Sequence, residues 1–316
     1  MAKNDDIKEI EDLPGIGEAT AEKLRAAGYD TLEKVAVASP HELAEVAEMS
    51  VDAAKKAIEA AKNATKVEFI TGMEEYERRQ SVAKIDTNSK NLNQLIGGGI
   101  ETRGITEVYG RFASGKSQIG FQLSVNVQLP PERGGLGGGV LFIDTEGTFR
   151  PERISEIATA KGLDYKSVLE NIYLIRAGTT EEQILAVEHA DKLIEEKNIK
   201  LIVVDSLTAL FRAEFVGRSS LGERQQKLAA HLHKLQSLAD KYNLAVYITN
   251  QVMDNPAVSF ADPTTPIGGN ILAHAATVRL YIKKSRENKR VVRLVDSPFL
   301  PEGECVIKIT SEGISD

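Results

Sequence analysis

Cysteine occurs once in this chain, as Cys305, and tryptophan not at all. A single thiol makes no intrachain disulfide and no cysteine-based metal site, so neither a disulfide scaffold nor a zinc module is expected. No apolar run approaches the ~18 residues that a membrane span needs. The first residues, MAKNDDIKEIED, are charged and acidic and hold no signal-peptide core. A cytoplasmic protein with no membrane partner is expected. Excess positive charge is missing too. The chain sums to −7, which excludes a generic polyanion binder and confines any nucleic-acid contact to local patches. The 42% hydrophobic and 27% charged residues are ordinary for a folded protein and exclude wholesale disorder. A length of 316 residues suits one large domain plus a small one.

Charge and periodicity divide the chain. Residues 1–64 carry 8 Lys/Arg against 14 Asp/Glu, so nearly all the negative excess lies there. Leu24, Leu32, Val35, Leu43, Val46, Val51 and Ile58 recur at helical spacing, punctuated by Gly28 and Pro40. This predicts four or five short helices. Residues 65–90 read as a linker. From about residue 91, apolar β-branched runs alternate with amphipathic ones. Strands are expected at 105–110, 140–146, 172–177, 201–206 and 245–251, and helices near 116–128, 151–161, 181–197 and 222–242. Such alternation predicts an α/β fold whose mostly parallel sheet is buried on both faces. The tail segments ATVRLYIKK, RVVRLVDS and ECVIKIT predict antiparallel strands at one edge.

Gly110-Arg-Phe-Ala-Ser-Gly115-Lys116-Ser117 matches G-x-x-x-x-G-K-[ST]. A predicted strand precedes it and a predicted helix follows. Glycines there let the backbone wrap phosphate oxygens, and the helix N-terminus favours the anion. Lys116 would face the β- and γ-phosphates, and the Ser117 hydroxyl would ligate Mg2+. Asp205 ends the run Leu201–Asp205, at the sheet edge where such folds bind ligands, and would hold the same ion. Asp144 and Glu146 end another run. A carboxylate there would orient the attacking water, and Glu146 is favoured; a structural cap fits Asp144 or Thr148 equally well. Gln251 ends a further strand, placed to sense the γ-phosphate. The Pro/Gly-rich segment after it, VMDNPAVSFADPTTPIGG, reads as a long loop whose order would depend on ATP.

Three arginines, Arg212, Arg218 and Arg224, lie in what reads as a second irregular segment. They suit DNA phosphate contacts, with a solvated loop as the alternative. Residues 279–293 hold seven basic side chains and read as a basic edge hairpin, either a DNA contact or protection against aggregation. Leu13-Pro14-Gly15-Ile16-Gly17 lies between helical runs and resembles a helix-hairpin-helix turn, whose Gly15 and Gly17 N–H groups would hold a DNA phosphate; a purely structural turn is the alternative.

Together these residues resemble the archaeal RadA recombinases, relatives of bacterial RecA and the eukaryotic recombinases. The most specific stretches are IDTEGTFRPERI, VVDSLTALFRAEFVGRSSLGERQQKL, TNQV and IGGNILAHAATVRLYIKK. The resemblance implies a RecA-like P-loop ATPase core at 91–316 with antiparallel C-terminal edge strands. It adds a linker with a polymerisation motif at 65–90 and an all-α helix-hairpin-helix domain at 1–64. It implies a DNA-dependent ATPase for recombination and repair. The protein would polymerise on single-stranded DNA, pair it with homologous duplex and exchange strands. ATP and Mg2+ are the implied cofactors, with K+ a further candidate. Glu146 would activate water, assisted by Lys116 and Gln251. The nucleotide contacts would be Gly110, Arg111, Phe112, Ala113, Ser114, Gly115, Lys116, Ser117, Gln118, Arg153, Gln251 and His274. Arg153 would pack on adenine, and Gln251 and His274 would link the γ-phosphate to the second DNA loop. Phe69 would anchor one subunit in the next, with Gly72 at a second anchor where the family usually has Ala. Asp296 through Pro301 would cap ATP on the adjacent subunit. Ala113 stands where the family commonly has Gly, and Arg111 where it has an acidic residue. Two other readings use the same residues: a DNA-binding accessory protein without strand exchange, and a closed-ring motor.

Overall fold

A computed structural model describes residues 7–65, 69–217, 219–254 and 264–316. The chain divides into two compact units, Met1–Glu77 and Arg78–Asp316. In the first, a single 3-10 turn at Ile10–Asp12 precedes α1 (Glu18–Ala26), α2 (Leu32–Ala36), α3 (Pro40–Val46) and α4 (Val51–Ala64). Local chemistry sets these limits. Gly28 (φ 93°) stops α1, with the Tyr29 N–H reaching back 2.8 Å to the Leu24 carbonyl. The Thr31 and Ser50 hydroxyls cap α2 and α4, and Pro40 opens α3 at its first turn. Ala54, Ala57, Ile58 and Ala61 line one face of α4 and pack with Leu24, Val35 and Leu43. A further helix, α5 (Gly72–Arg79), and the strand β1 (Lys84–Ile85) lie within the segment expected to be a linker.

The second unit is a three-layer sandwich. β1 pairs with β2 (Ile100–Glu101) beside α6 (Lys90–Leu95). The main sheet contains β3 (Ile105–Tyr109), β4 (Gly139–Asp144), β5 (Ile172–Arg176), β6 (Ile199–Asp205), β7 (Ala245–Asn250), β10 (Val278–Lys284), β11 (Lys289–Asp296), β12 (Gly303–Thr310) and β13 (Gly313–Ser315). Its order is β13-β12-β11-β10-β3-β7-β6-β4-β5. From β10 to β5 the strands run parallel, and from β10 to β13 antiparallel. One apolar layer lies against α7 (Lys116–Asn126), α8 (Pro151–Ala160) and α9 (Tyr165–Glu170). The other lies against α10 (Thr180–Glu188), α11 (Ala190–Lys197), α12 (Ala209–Glu214), α13 (Leu221–Tyr242) and α14 (Gly269–Ala275). Val203 faces the first layer while Ile202 and Val204 face the second, which is why β6 reads as an unbroken apolar run. Among the described residues no helix is long and apolar enough to cross a membrane.

Four expectations are corrected. The helix expected at 181–197 is two, broken at His189, whose backbone (φ −94°, ψ 5°) leaves the helical region. The arginine segment is mostly helical: Arg212 lies on α12 and Arg224 in the first turn of α13. The long loop after Gln251 is rooted in a two-stranded ribbon, β8 (Val252–Asp254) against β9 (Thr264–Pro266). The basic hairpin is not at an edge, because β12 and β13 lie outside it. Arg279 is buried against Glu107, with Nε donating to Oε2 at 2.6 Å, and is spent on that pair.

Candidate nucleotide and DNA site

β3, β7, β6 and β4 end flush: Tyr109 pairs with Asn250, and Asp144 with Asp205. The segments leaving these ends converge on a cleft of about 590 Å3. That size suits a small-molecule ligand. A larger cavity, of about 690 Å3, lies between α13, α14 and the end of β11. It lacks the glycine loop, so the phosphate chemistry belongs to the smaller one.

Gly110 leaves β3 so close to the Ile282 carbonyl that a Cβ would collide with it. Gly115 caps α7 at φ 110°, where a Cβ would press on Ile309. Only glycine fits both corners. Ala113 also takes a positive φ, 57°, which explains why Gly is common at this position in the family it resembles. The Lys116 ammonium donates to the Gly110 and Arg111 carbonyls at 3.0 and 3.1 Å, leaving its third N–H for a ligand. Burial lowers its pKa, and the negative charges of Asp205 and Glu146 oppose that shift. The buried Asp205 carboxylate accepts from the Thr249 and Ser117 hydroxyls, yet desolvation dominates and raises its pKa.

Two donors fix Glu146. Ser206 Oγ and Gln251 Nε2 both reach its Oε1, at 2.8 and 2.7 Å. Both bonds fall on one oxygen, which leaves Oε2 to take a proton. Asp144 resolves the alternative at that strand end. Its buried carboxylate accepts the N–H groups of Glu146, Thr148 and Phe149 at 3.3, 3.0 and 3.1 Å, so it shapes the turn that presents Glu146. Asn250 anchors the next element. Its Nδ2 donates to Glu107 Oε1 (2.8 Å) and the Ile267 carbonyl (2.6 Å), and its Oδ1 accepts from Thr208 Oγ1 (2.7 Å). The Gln251 carbonyl holds the Ile267 N–H at 3.0 Å. The roots of both expected DNA loops are thereby tied to the residues beside the cleft.

Most expected nucleotide contacts line this cleft: Gly110, Phe112 through Gln118, Glu146, Arg153, Asp205 and Gln251. Phe112 is 95% exposed at the loop tip. Arg153 reaches Gln118 Oε1 (2.8 Å), Glu156 (2.8 Å) and the carbonyls of Ser311 (2.6 Å) and Thr310 (2.5 Å). Arg111 and His274 are not among the described lining residues. Arg111 contributes its carbonyl instead. His274 lies on α14 and faces the larger cavity with Asp296 and Pro298, because the chain turns away through α14 before reaching β10. Pro301 is exposed just beyond. Phe69 is 93% exposed, and a Cβ on Gly72 would meet nothing within 4 Å. Gly15 (φ 81°) and Gly17, the cap of α1, form the turn between the first two helical segments. Arg218 lies outside the described residues. Sequence reading missed Ser206, Thr249, Arg150 and Arg290, all of which line the cleft. Thr249 and Ser206 carried a weak signal as neighbours of strand ends, while Arg290, on an antiparallel tail strand, carried none.

An open sheet with a phosphate loop at the carboxyl end of β3 and an acidic strand end two strands away defines a phosphate-loop nucleotide-binding protein of the RecA-like class. The Rad51 family pattern matches residues 78–316, and the SAM-like helix-hairpin-helix tandem pattern matches residues 7–63. The "DNA repair and recombination protein RadA" of Aeropyrum pernix is 52% identical over 311 residues, covering 98% of each chain. The protein of the same name from Metallosphaera sedula is 53% identical over 311 residues, covering 98% of this chain and 96% of that one. The chain belongs to the Rad51 family.

Proposed function

We propose that this protein is a DNA recombination and repair ATPase that assembles on single-stranded DNA and exchanges strands with a homologous duplex. The observation that carries the reading is the double attachment of Gln251. Its side chain holds Glu146 at the phosphate cleft, and its carbonyl holds Ile267 beyond the second loop. A γ-phosphate that competes for the amide would move the root of that loop, so ATP would set the loop's order.

In this reading the first N–H groups of α7 and the Lys116 ammonium hold the phosphates. Glu146 takes the proton of the attacking water, and Ser206 and Gln251 aim its carboxylate. The oxygen donors Asp205 and Ser117 suit Mg2+, which when bound would neutralise charge on the β- and γ-phosphates. No group of three or more His, Cys, Asp or Glu side chains gathers for a metal among the described residues. Ser117 and Asp205 would hold the ion together with phosphate oxygens and water. K+ is a further candidate cofactor, and turnover in K+ against Na+ tests it. Arg212, Arg218 and Arg224 contact single-stranded DNA. Gly15 and Gly17 hold a duplex phosphate. Phe69, with the position of Gly72, joins subunits, Asp296 and Pro301 cap the neighbouring subunit's nucleotide, and His274 joins Gln251 in linking the γ-phosphate to the second loop. Filament assembly and ATP occupancy are then linked.

Gln251→Ala tests the claim. ATP binding should persist while ATP-dependent affinity for a single-stranded oligonucleotide falls to the nucleotide-free level. Unchanged ATP dependence would refute it. Electron microscopy with a non-hydrolysable ATP analogue should show open helical filaments on DNA, whereas closed rings would favour the motor reading.

A further inference from the structure

Among the described residues that line the cleft, Arg290 is the cation with a buried N–H that has no partner. Arg290 lies on β11, opposite Lys284 of β10, and shares the sheet face of the buried Val292 and Leu294, toward α7. Its side chain lines the nucleotide cleft. Nη1 donates to the Lys289 carbonyl at 2.9 Å, while Nε is buried with no hydrogen-bond partner. The other cations of the cleft are engaged. Arg153 makes four hydrogen bonds, Arg150 Nη1 reaches the Gly147 and Phe149 carbonyls, and Lys116 reaches two carbonyls of its own loop.

The position of Nε makes this costly. A Cβ on Gly115 would lie 3.6 Å from it, and Gly115 caps the N-terminus of α7. A guanidinium edge thus sits beside the positive end of an 11-residue helix. Among the described residues no carboxylate pairs with it. An anion between the two would satisfy both the N–H and the helix end. Arg290 is also on the side of the loop away from the hydrolytic groups. Asp205 ends β6 and Gln251 follows β7, across β3, whereas Arg290 is on β11, two strands to the other side. Three strand spacings of roughly 4.8 Å separate β11 from β7. Ile309 lies beside Gly115 and lines the same end of the cleft, offering an apolar wall for a base.

We propose that Arg290 binds the α-phosphate of the nucleotide, as a positioning residue that acts on diphosphates and triphosphates alike. The proposal rests on the nucleotide reading of this cleft and adds the residue that grips the end remote from the reacting bond. The test is competition of ATP, ADP, AMP and adenosine against a fluorescent ADP analogue, with wild type, Arg290→Gln and Arg290→Lys. Losing a charge-assisted hydrogen bond should weaken ATP, ADP and AMP by the same factor, about tenfold or more, in Arg290→Gln. Adenosine should bind as before, and Arg290→Lys should keep part of the loss at bay because charge survives while fork geometry does not. Equal nucleotide affinities in wild type and Arg290→Gln would overturn the proposal. A loss confined to ATP would place the guanidinium at the γ-phosphate, and an equal loss for adenosine would reduce it to shaping the pocket; either also overturns it. A wild-type chain that bound no ATP would sink the nucleotide reading itself.

Discussion

Phe69 offers the sharpest test of self-association, because no described residue of the chain covers its ring. The ring is 93% exposed, in a stretch that also exposes Ile70, Met73 and Tyr76. Removing it should therefore leave folding stability within about 0.5 kcal/mol of wild type, as for other surface changes. If the ring is instead buried in the next subunit, Phe69→Ala loses transfer energy of about 2.5 kcal/mol per interface. At 1.4 kcal/mol per factor of ten, that raises the critical concentration for assembly by roughly 60-fold. Light scattering across a concentration series with ATP and Mg2+ measures this, and a thermal melt supplies the control. Gly72→Ala runs the other way. Its added methyl meets none of the described residues within 4 Å, so if the position is the second anchor the new contact gains about 0.8 kcal/mol per interface, roughly fourfold. An unchanged critical concentration for Phe69→Ala, with an unchanged melting temperature, would remove this segment from the interface.

Asp205→Asn should raise the melting temperature of the nucleotide-free protein near pH 7. Burial raises the native pKa of this carboxylate, so its stability penalty grows as pH rises through that pKa; the same variant should lose the extra stabilisation by ATP with Mg2+, and a melt with and without both ligands reads the two effects. Arg212→Ala with Arg224→Ala should remove most of the rise in ATP turnover that single-stranded DNA causes; a rise equal to wild type would take these residues off the DNA path. His231, buried between α10 and α13, has its pKa lowered to about 4, against 6.5 when exposed. A depressed native pKa means stability is lost as pH falls from 6.5 toward 4, by about 2 kcal/mol between pH 7 and 5. Denaturant melts should show this slope, and His231→Gln should flatten it.

The parts of the fold that could be read from sequence are those where local pattern and final burial coincide. The β-branched runs of β4, β6 and β7 are apolar throughout because both faces are covered, and the loop from Gly110 to Ser117 lies between elements that its own glycines require. What stayed hidden depends on partners far away in the chain. Arg279 looked like surface charge because Glu107, its ion-pair partner, lies on a strand more than 170 residues earlier. Arg290 looked like part of the same basic run, yet the alternation of β11 turns it toward α7 while Lys289 and Val291 share the opposite face. Periodicity reports which face a residue takes and is silent on which helix covers that face. The ribbon of β8 and β9 escaped for another reason: Asp254 and Pro266 are poor strand residues, and pairing alone holds them.

The geometry at the cleft also bears on how a phosphate signal would travel. Gln251 is the first residue beyond β7, and the residue before it is the most constrained polar side chain in the region. Asn250 is fully buried, and its amide is shared among β3, the start of α12 and the segment after the second loop. Glu107 in turn is held by Arg279 from β10. A buried ion pair of this kind contributes little net stability, because desolvation offsets much of its attraction. Its effect is to fix the backbone of β3, β7 and β10 in one arrangement. Against that rigid frame, a ligand that draws the Gln251 amide off Glu146 cannot be absorbed by a shift of β7. In the proposed coupling the displacement would pass to the ribbon of β8 and β9, which begins at the residue after Gln251.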